Sequence, residues 1–441
     1  MKRYYLVAGI SFAAIAALSV GQILQAQTQS RSFNFQGRFL AVLSDADMEA
    51  SAYIDGRLGE RTPEMRDTLT LIPLGNGSSK VSPTTLPISN SVMAWPNNLA
   101  FTPDGRFAFV TETFRPAPQG ATERSQIPPG RQLAVIEVSQ PQQPKVVQRI
   151  NLGTRPMAVT VHPDGNLLAV SLGESGRQIA LIPFNNGRLG TPTFQGHPNL
   201  NDANVHTPHV EWHPSGRFLG VTLPDRNEAL FYAIDRTNPS RPKLRSWGNT
   251  IMTGKHSGVG HFTPDGRHFI VTNLYWGDDV AVAGSQHSSL TVIEFANVTS
   301  SNNQVKHQIV STAAVGGSAE EFAISPNGRF VVSLNMEASY LPLNDPRMTR
   351  HSSLTLLGLN PETGRLTLYG TTVFEGILPE GITFDASGNY LAVATFDYHD
   401  PQQPGGAVDF WRMIQNGRPT LQKLDRSIPV MRGAHIVKLV R

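Results

Sequence analysis

The chain has 441 residues, with 37 Lys and Arg against 34 Asp and Glu, and it contains no cysteine. That length suits two ordinary domains or one large repeat array. The missing thiols exclude disulfides, thiolate metal centres and Cys nucleophiles together, and a formal charge of +3 with no basic stripe gives no support to a nucleic-acid surface.

At the N-terminus Lys2 and Arg3 precede an apolar run from Tyr4 to Val20 and then "GQILQAQ", with Ala26 at a cleavage position. The pattern predicts a signal peptide over 1–26 and export to a periplasm, a cell surface or the medium, with no membrane association once the signal is cleaved. An uncleaved anchor is the alternative, for which the apolar run is short. Without the signal, 35 basic residues stand against 34 acidic ones, so the pI near 9.1 reflects near balance.

From residue 33 onward one sentence is written repeatedly. "NFQGRFLAV" at 34–42 is a truncated copy, followed by "FTPDGRFAFV" at 101–110, "VHPDGNLLAV" at 161–170, "WHPSGRFLGV" at 212–221, "FTPDGRHFIV" at 262–271, "ISPNGRFVVS" at 324–333 and "FDASGNYLAV" at 384–393. Such periodicity is the mark of a repeat architecture. Each copy places an alternating run before Pro-Asp-Gly or a relative and an apolar run after it, which reads as a hairpin with a tight turn. Two further strand-like runs joined by a second turn follow in each unit, as in "LTLLGLNPETGRLTLYGTT" at 354–372. Four antiparallel strands per unit, seven units and no convincing amphipathic helix predict an all-β, seven-bladed β-propeller over 33–441. The first unit has "FLAVLS", "DTLTLIPL" and "KVSPTTLPI" but no good first strand, whereas "AHIVKLVR" at 434–441 is a strand with no turn after it. The C-terminal strand is therefore expected to pair into the N-terminal blade and close the ring, removing two open sheet edges.

Alternation along the first strand of each unit separates two faces. Four and six residues before the turn glycine stand large apolar side chains such as Trp212, Val210 and Phe262, which belong between blades. Five and seven residues before it stand small or polar ones, including Asn98, Ala158, His209, Glu211, Val259, His261, Ala323 and Glu321, which suit a central channel.

The connections from second to third strand are long in five units (44–67, 112–131, 273–289, 334–353 and 395–407) and brief in two, and all open on the face opposite the turn glycines. Long loops clustered round one channel mouth favour a lidded site. The loops leading into each blade on this face carry Asn97 and Asn98, Arg155, His206 and His209, His256 and His261, Glu320 and Glu321, Glu380, and His435. Histidines beside carboxylates can do acid–base work near neutral pH; plain water-filled polarity is the other reading. "HTPH" at 206–209 can offer His206 and His209 to a divalent metal, but no third ligand is indicated, and no other cofactor is expected. His162 and His213 sit beside turn prolines on the opposite face and read as structural.

"FIVTN" at 269–273 and the repeated "PDGRFxxV" resemble the YVTN repeats of exported propellers, and the span from about 33 to 441 resembles the lactonase family that includes 6-phosphogluconolactonase-like proteins. The resemblance is carried locally by "HTPHVEWHPSGRFLGVTLPDRNEALFY" at 206–232, with its Asp225–Arg226 pair, and by "AEEFAISPNGRFVVSLN" at 319–335. It implies an acid at Glu321 and a ligand-binding role for Asn335. The sequence departs from the family where Met336 and Glu380 replace expected arginines and where "GVGH" replaces Pro-Arg-His. Anionic substrates need arginines, so these departures point away from a phosphorylated lactone and toward an uncharged one.

Two functions follow. The first is an exported hydrolase of a lactone or related cyclic ester: His209, His261 or His206 activates water, Glu321 orients it, and Arg226 or Arg155 meets developing negative charge. Asp225, Asn335, Glu380 and Asn98 then bind the ligand. The second is a non-catalytic scaffold that binds a small molecule or a protein through the long-loop face, using residues such as Trp276, Asp278 and Tyr340.

Overall fold

The computed structural model describes residues 33–74, 82–91, 95, 97–198, 200, 205–280, 287–296, 304–400 and 405–441; the expected signal peptide at 1–26 lies outside them. Seven antiparallel sheets follow one another along the chain, each built on the repeated hairpin. Numbered from the N-terminal blade, their innermost strands are Ala434–Val440, Leu99–Phe101, Pro156–Val161, His209–Trp212, Ser257–Phe262, Ala319–Ile324 and Ile377–Phe384. The outermost strands of blades 3 and 4 are broken, so that Arg188–Leu189 and Thr193–Gln195 share one neighbour, as do Lys243–Ser246 and Ile251–Met252. The helical content described is a four-residue helix, Ala52–Asp55, and three single 3-10 turns, all in connections.

Six of the seven repeated glycines hold the left-handed conformation the hairpin needs, with φ between 63° at Gly105 and 74° at Gly165. In blade 2 the turn is tightened by Asp104, whose Oδ1 accepts from Thr102 Oγ1 at 2.6 Å and from the amide of Arg106 at 3.0 Å. Gly37, in the truncated copy, lies instead at φ 159°. No hairpin is required there, because the inner strand of blade 1 arrives from the other end of the chain. Ala434–Val440 runs antiparallel to Phe39–Ser44, from Val440 opposite Phe39 to Ala434 opposite Ser44.

The cores lie between blades, as the alternation predicts. Trp212 and Val210 of blade 4 pack with Ala169 and Leu167 of blade 3, and Ile382 and Phe384 of blade 7 pack with Val332 of blade 6. The closing seam joins Leu40, Val42 and Val437 of blade 1 to Ala392, Val408 and Phe410 of blade 7. His162 and His213 knit neighbouring turns: their Nε2 atoms donate to the carbonyls of Gly216 and Gly266, each at 2.9 Å. Two expected channel residues do not line it. Ala158 and Val259 are buried in inter-blade clusters, because register shifts at Pro156–Val159 and Ser257–Gly260 interrupt strict alternation above them.

Candidate active site

The same kind of irregularity builds a pocket. In blade 6 Ala319 pairs with Asn335 and Glu321 with Leu334, leaving Glu320 as an extra residue; in blade 7 Pro379 pairs with Thr395 and Gly381 with Ala394, leaving Glu380 extra. A β-bulge re-aims a side chain out of the sheet's alternation. Both glutamates thereby reach a cavity of about 350 Å³ at the long-loop mouth of the channel, walled by Tyr53, Trp95 and Trp276 and completed by His206, Asp225, His256 and Arg124. Tyr340 supports the wall from behind: its ring stacks on Trp276 at 4.0 Å, and its hydroxyl accepts from the Gly277 amide at 3.1 Å.

Glu320 is 5% exposed and Glu380 2%. Burial, with the charge of Glu321 added, pushes the Glu320 carboxyl up to about 8. Burial, then Glu320 and Asp45, holds Glu380 well above the carboxylate range. His206 is depressed by burial, against which Asp225 acts. Four lining residues carry a buried polar atom with no partner among the described residues: Tyr53 Oη, Trp95 Nε1, His206 Nε2 and Glu380 Oε2. Unpaired buried polar groups are costly, and here donors and an acceptor collect round one cavity, as a polar guest requires.

The raised carboxyl has a measurable sign. Folding takes up a proton at Glu380, so its contribution is complete below the free value of 4.5 and fades as pH rises through the folded value. Glu380→Gln removes that dependence. The variant should gain stability relative to wild type as pH is raised from 5 to 9, read as a widening difference in melting temperature. A constant difference across that range would mean Glu380 keeps an ordinary pKa.

Deeper in the channel stands a second group. His261 Nε2 lies 2.9 Å from Glu321 Oε1, and its Nδ1 lies 3.6 Å from Glu211 Oε1. Burial opposes the charge on His261, but Glu321 and then Glu211 outweigh it and raise the imidazole to about 10. His209 is fully buried and pushed down to about 3 by burial and then by His261, and its Nε2 donates to the Gly260 carbonyl. Glu211, His261 and Glu321 open on a separate cavity of about 300 Å³ lined also by Thr383, Lys438 and Arg441, toward the turn-glycine face.

The structure thus divides the sequence-derived candidates. His206, Asp225 and Glu380 meet at the upper pocket, with Trp276. His261 and Glu321 meet in the channel below. His209, expected beside Glu321, is neighbour to His261 instead, with ring centroids 5.7 Å apart. Arg226 is drawn aside by Glu228 at 2.7 Å on the exposed turn. Asn335 is buried in hydrogen bonds to Ser353 and Thr355, which makes it a strut of blade 6. Asn98 ties the Asn90 carbonyl to His435, and Arg155 lies over the Phe114 ring in an adjacent cleft. Asp278 is exposed. Tyr53, Trp95 and Arg124 were not singled out by sequence, since aromatic and basic residues in loops carry no periodic signal; Glu320 was seen only as one polar group among many.

Similarity to known proteins agrees with this architecture. Residues 96–399 match the family described as "Lactonase, 7-bladed beta-propeller". No curated protein matches the sequence. Among solved structures, the periplasmic gluconolactonase of Pseudomonas aeruginosa is similar at 16% identity and a TM-score of 0.60, covering 91% of this chain and 99% of that one. A Bacteroides fragilis protein described as a candidate 6-phosphogluconolactonase is similar at 15% identity and a TM-score of 0.59, covering 92% of this chain and 98% of that one. A protein from Lactobacillus plantarum is similar at 12% identity and a TM-score of 0.61, covering 92% of this chain and all of that one. At such identities the structures speak for the fold, and the family match covers most of the chain: this protein belongs to the lactonase family of seven-bladed β-propellers.

Proposed function

We propose that the protein is an exported hydrolase of an uncharged lactone or related cyclic ester, acting in the pocket at the long-loop mouth. One observation supports this above the others: two buried glutamates of raised pKa face a single cavity from adjacent blades. Carboxyls held near or above neutrality are suited to proton transfer. Glu320 as carboxylate takes a proton from water while the water oxygen attacks the ester carbonyl. Glu380, kept protonated, donates a hydrogen bond to the oxyanion. When the ring C–O bond breaks, the proton on Glu320 passes to the leaving alkoxide and a hydroxy acid remains. Among the described residues Arg124 is the one arginine lining the pocket, beside Asp225 and two glutamates, which disfavours a phosphorylated substrate. The name of one similar structure, a periplasmic gluconolactonase, accords with this reading in both substrate class and location; the phosphogluconolactonase name of another accords with lactone hydrolysis alone.

Turnover of a panel of uncharged lactones tests it. Activity should rise with pH through about 8 as Glu320 ionises. Glu320→Gln should lower kcat by ~10²-fold or more and flatten that rise, and Glu380→Gln, which keeps a donor, should retain more activity than Glu380→Ala. A protein that turns over no lactone, yet binds one saturably and loses it in Trp276→Ala, would instead be the binding module that the aromatic walls also suit.

A further inference from the structure

We propose that the central channel, beneath the pocket, holds a first-row divalent transition metal such as zinc, bound by His209, Glu211 and His261. One ring nitrogen of each histidine and one carboxylate oxygen of Glu211 lie within 4.8 Å of one another. The three come together because His209 and Glu211 are two residues apart on one strand and share its channel face, while His261 stands at the corresponding position of the next blade.

The arrangement around these three points to a ligand. His209 is fully buried, and its Nε2–H is committed to the Gly260 carbonyl, which leaves the lone pair on Nδ1. That Nδ1 has no partner among the described residues. A buried imidazole lone pair facing nothing is expensive, and a backbone carbonyl on the far nitrogen is how proteins fix a metal-binding tautomer. His261 is held in the same way from the other side: Glu321 grips Nε2 at 2.9 Å, and Nδ1 faces Glu211 at 3.6 Å. A carboxylate behind one ligand histidine and a carbonyl behind the other is the outer shell a two-histidine, one-carboxylate site requires.

The donor set selects the ion. Two imidazoles with one carboxylate suit zinc, cobalt, nickel or ferrous iron and do not suit calcium or magnesium, which take oxygen ligands. Tetrahedral bonds of about 2.0–2.2 Å place ligand atoms roughly 3.4 Å apart, so the three groups need draw in by about an ångström. Binding displaces the Nδ1 proton of His261 to solvent and leaves the Nε2 proton on its bond to Glu321. Three protein ligands leave a fourth position open, toward the 300 Å³ cavity lined by Thr383 and Lys438. The nearby ammonium of Lys438 opposes a second positive charge and tempers the affinity. This site is independent of catalysis in the pocket above.

Calorimetric titration of the chelator-stripped mature chain with Zn²⁺, and visible spectra with Co²⁺, test the site. One equivalent should bind with a Kd of about 1 μM or below, raise the melting temperature, and give Co²⁺ the intense bands of low coordination number. His209→Gln and Glu211→Gln should each weaken Zn²⁺ at least ~10-fold, and Glu321→Gln, acting through His261, by ~10–100-fold. Asp47→Asn, in the separate buried cluster of Asp45, Asp47 and Asp67, should change nothing. Melting of each variant in chelator confirms that it is folded; where one is not, Glu321→Gln and the Co²⁺ spectrum of wild type still decide. Failure of wild type to take up Zn²⁺, or binding that survives Glu211→Gln but is lost in Asp47→Asn, overturns the assignment.

Discussion

A chain ending before residue 433 is expected to lose its cooperative fold, although only nine residues are missing. Those residues include the inner strand of blade 1, whose Ile436, Val437 and Val440 are at least 96% buried. Burying one such side chain stabilises by about 1.5–3 kcal/mol, so the three together contribute roughly 5–9 kcal/mol, comparable with the whole stability of an ordinary domain at about 5–15 kcal/mol. The loss also bares Phe39–Ser44, every residue of which is buried in the closed ring. Circular dichroism should show either no sigmoidal melt or a midpoint lowered by about 10 °C or more, and a synthetic 431–441 peptide added in trans should restore part of it. A truncated chain melting within a degree or two of the mature protein would refute closure by this strand.

The second large effect concerns adjacent residues of one strand. Trp212 is 5% exposed and sits between blades 3 and 4, its ring edge-on to His162 at 4.8 Å. Trp212→Ala should cost about 3–5 kcal/mol, since it opens a cavity and frees the histidine that holds the Gly216 carbonyl. Its indole nitrogen has no partner among the described residues, so Trp212→Phe should recover much of the loss. Glu211→Ala, measured in chelator, should cost less than ~1 kcal/mol, because Glu211 faces the open channel and His261 keeps Glu321. Denaturant midpoints separate the cases; equal losses at 211 and 212 would show that the two faces are wrongly assigned.

Much of this was legible in the sequence because propeller structure is local and repeated. Glycines at fixed offsets demand a turn, and the period-2 pattern on either side names the buried face, so Trp212 and His209 could be placed without coordinates. Ring closure could be read too, since a strand lacking at one end matched a strand left over at the other. The site was less legible because it depends on bulges. One extra residue at Glu320 or Glu380 shifts every side chain above it by half a period, and nothing in the residues themselves announces the insertion. Pairing across blades was missed although blade order settles it. His209 and His261 have similar chemistry, but His261 lies in the blade next to that of Glu321 and His209 two blades away, so it is His261 that meets Glu321. Arg226 misled for a simpler reason: its counter-charge, Glu228, is only two residues away.

Ring closure also fixes an order of events. The partner of Phe39–Ser44 begins 395 residues later, at Ala434. At ~5–20 residues per second of synthesis, the first blade waits on the order of 20–80 s for its innermost strand, with a full apolar edge unpaired. Six blades can form behind the moving chain end, but the assembly cannot lock until the final residues emerge. A chain built this way remains an open arc of blades until its last strand docks on Phe39–Ser44, so the two ends of the chain are committed to the fold together and last.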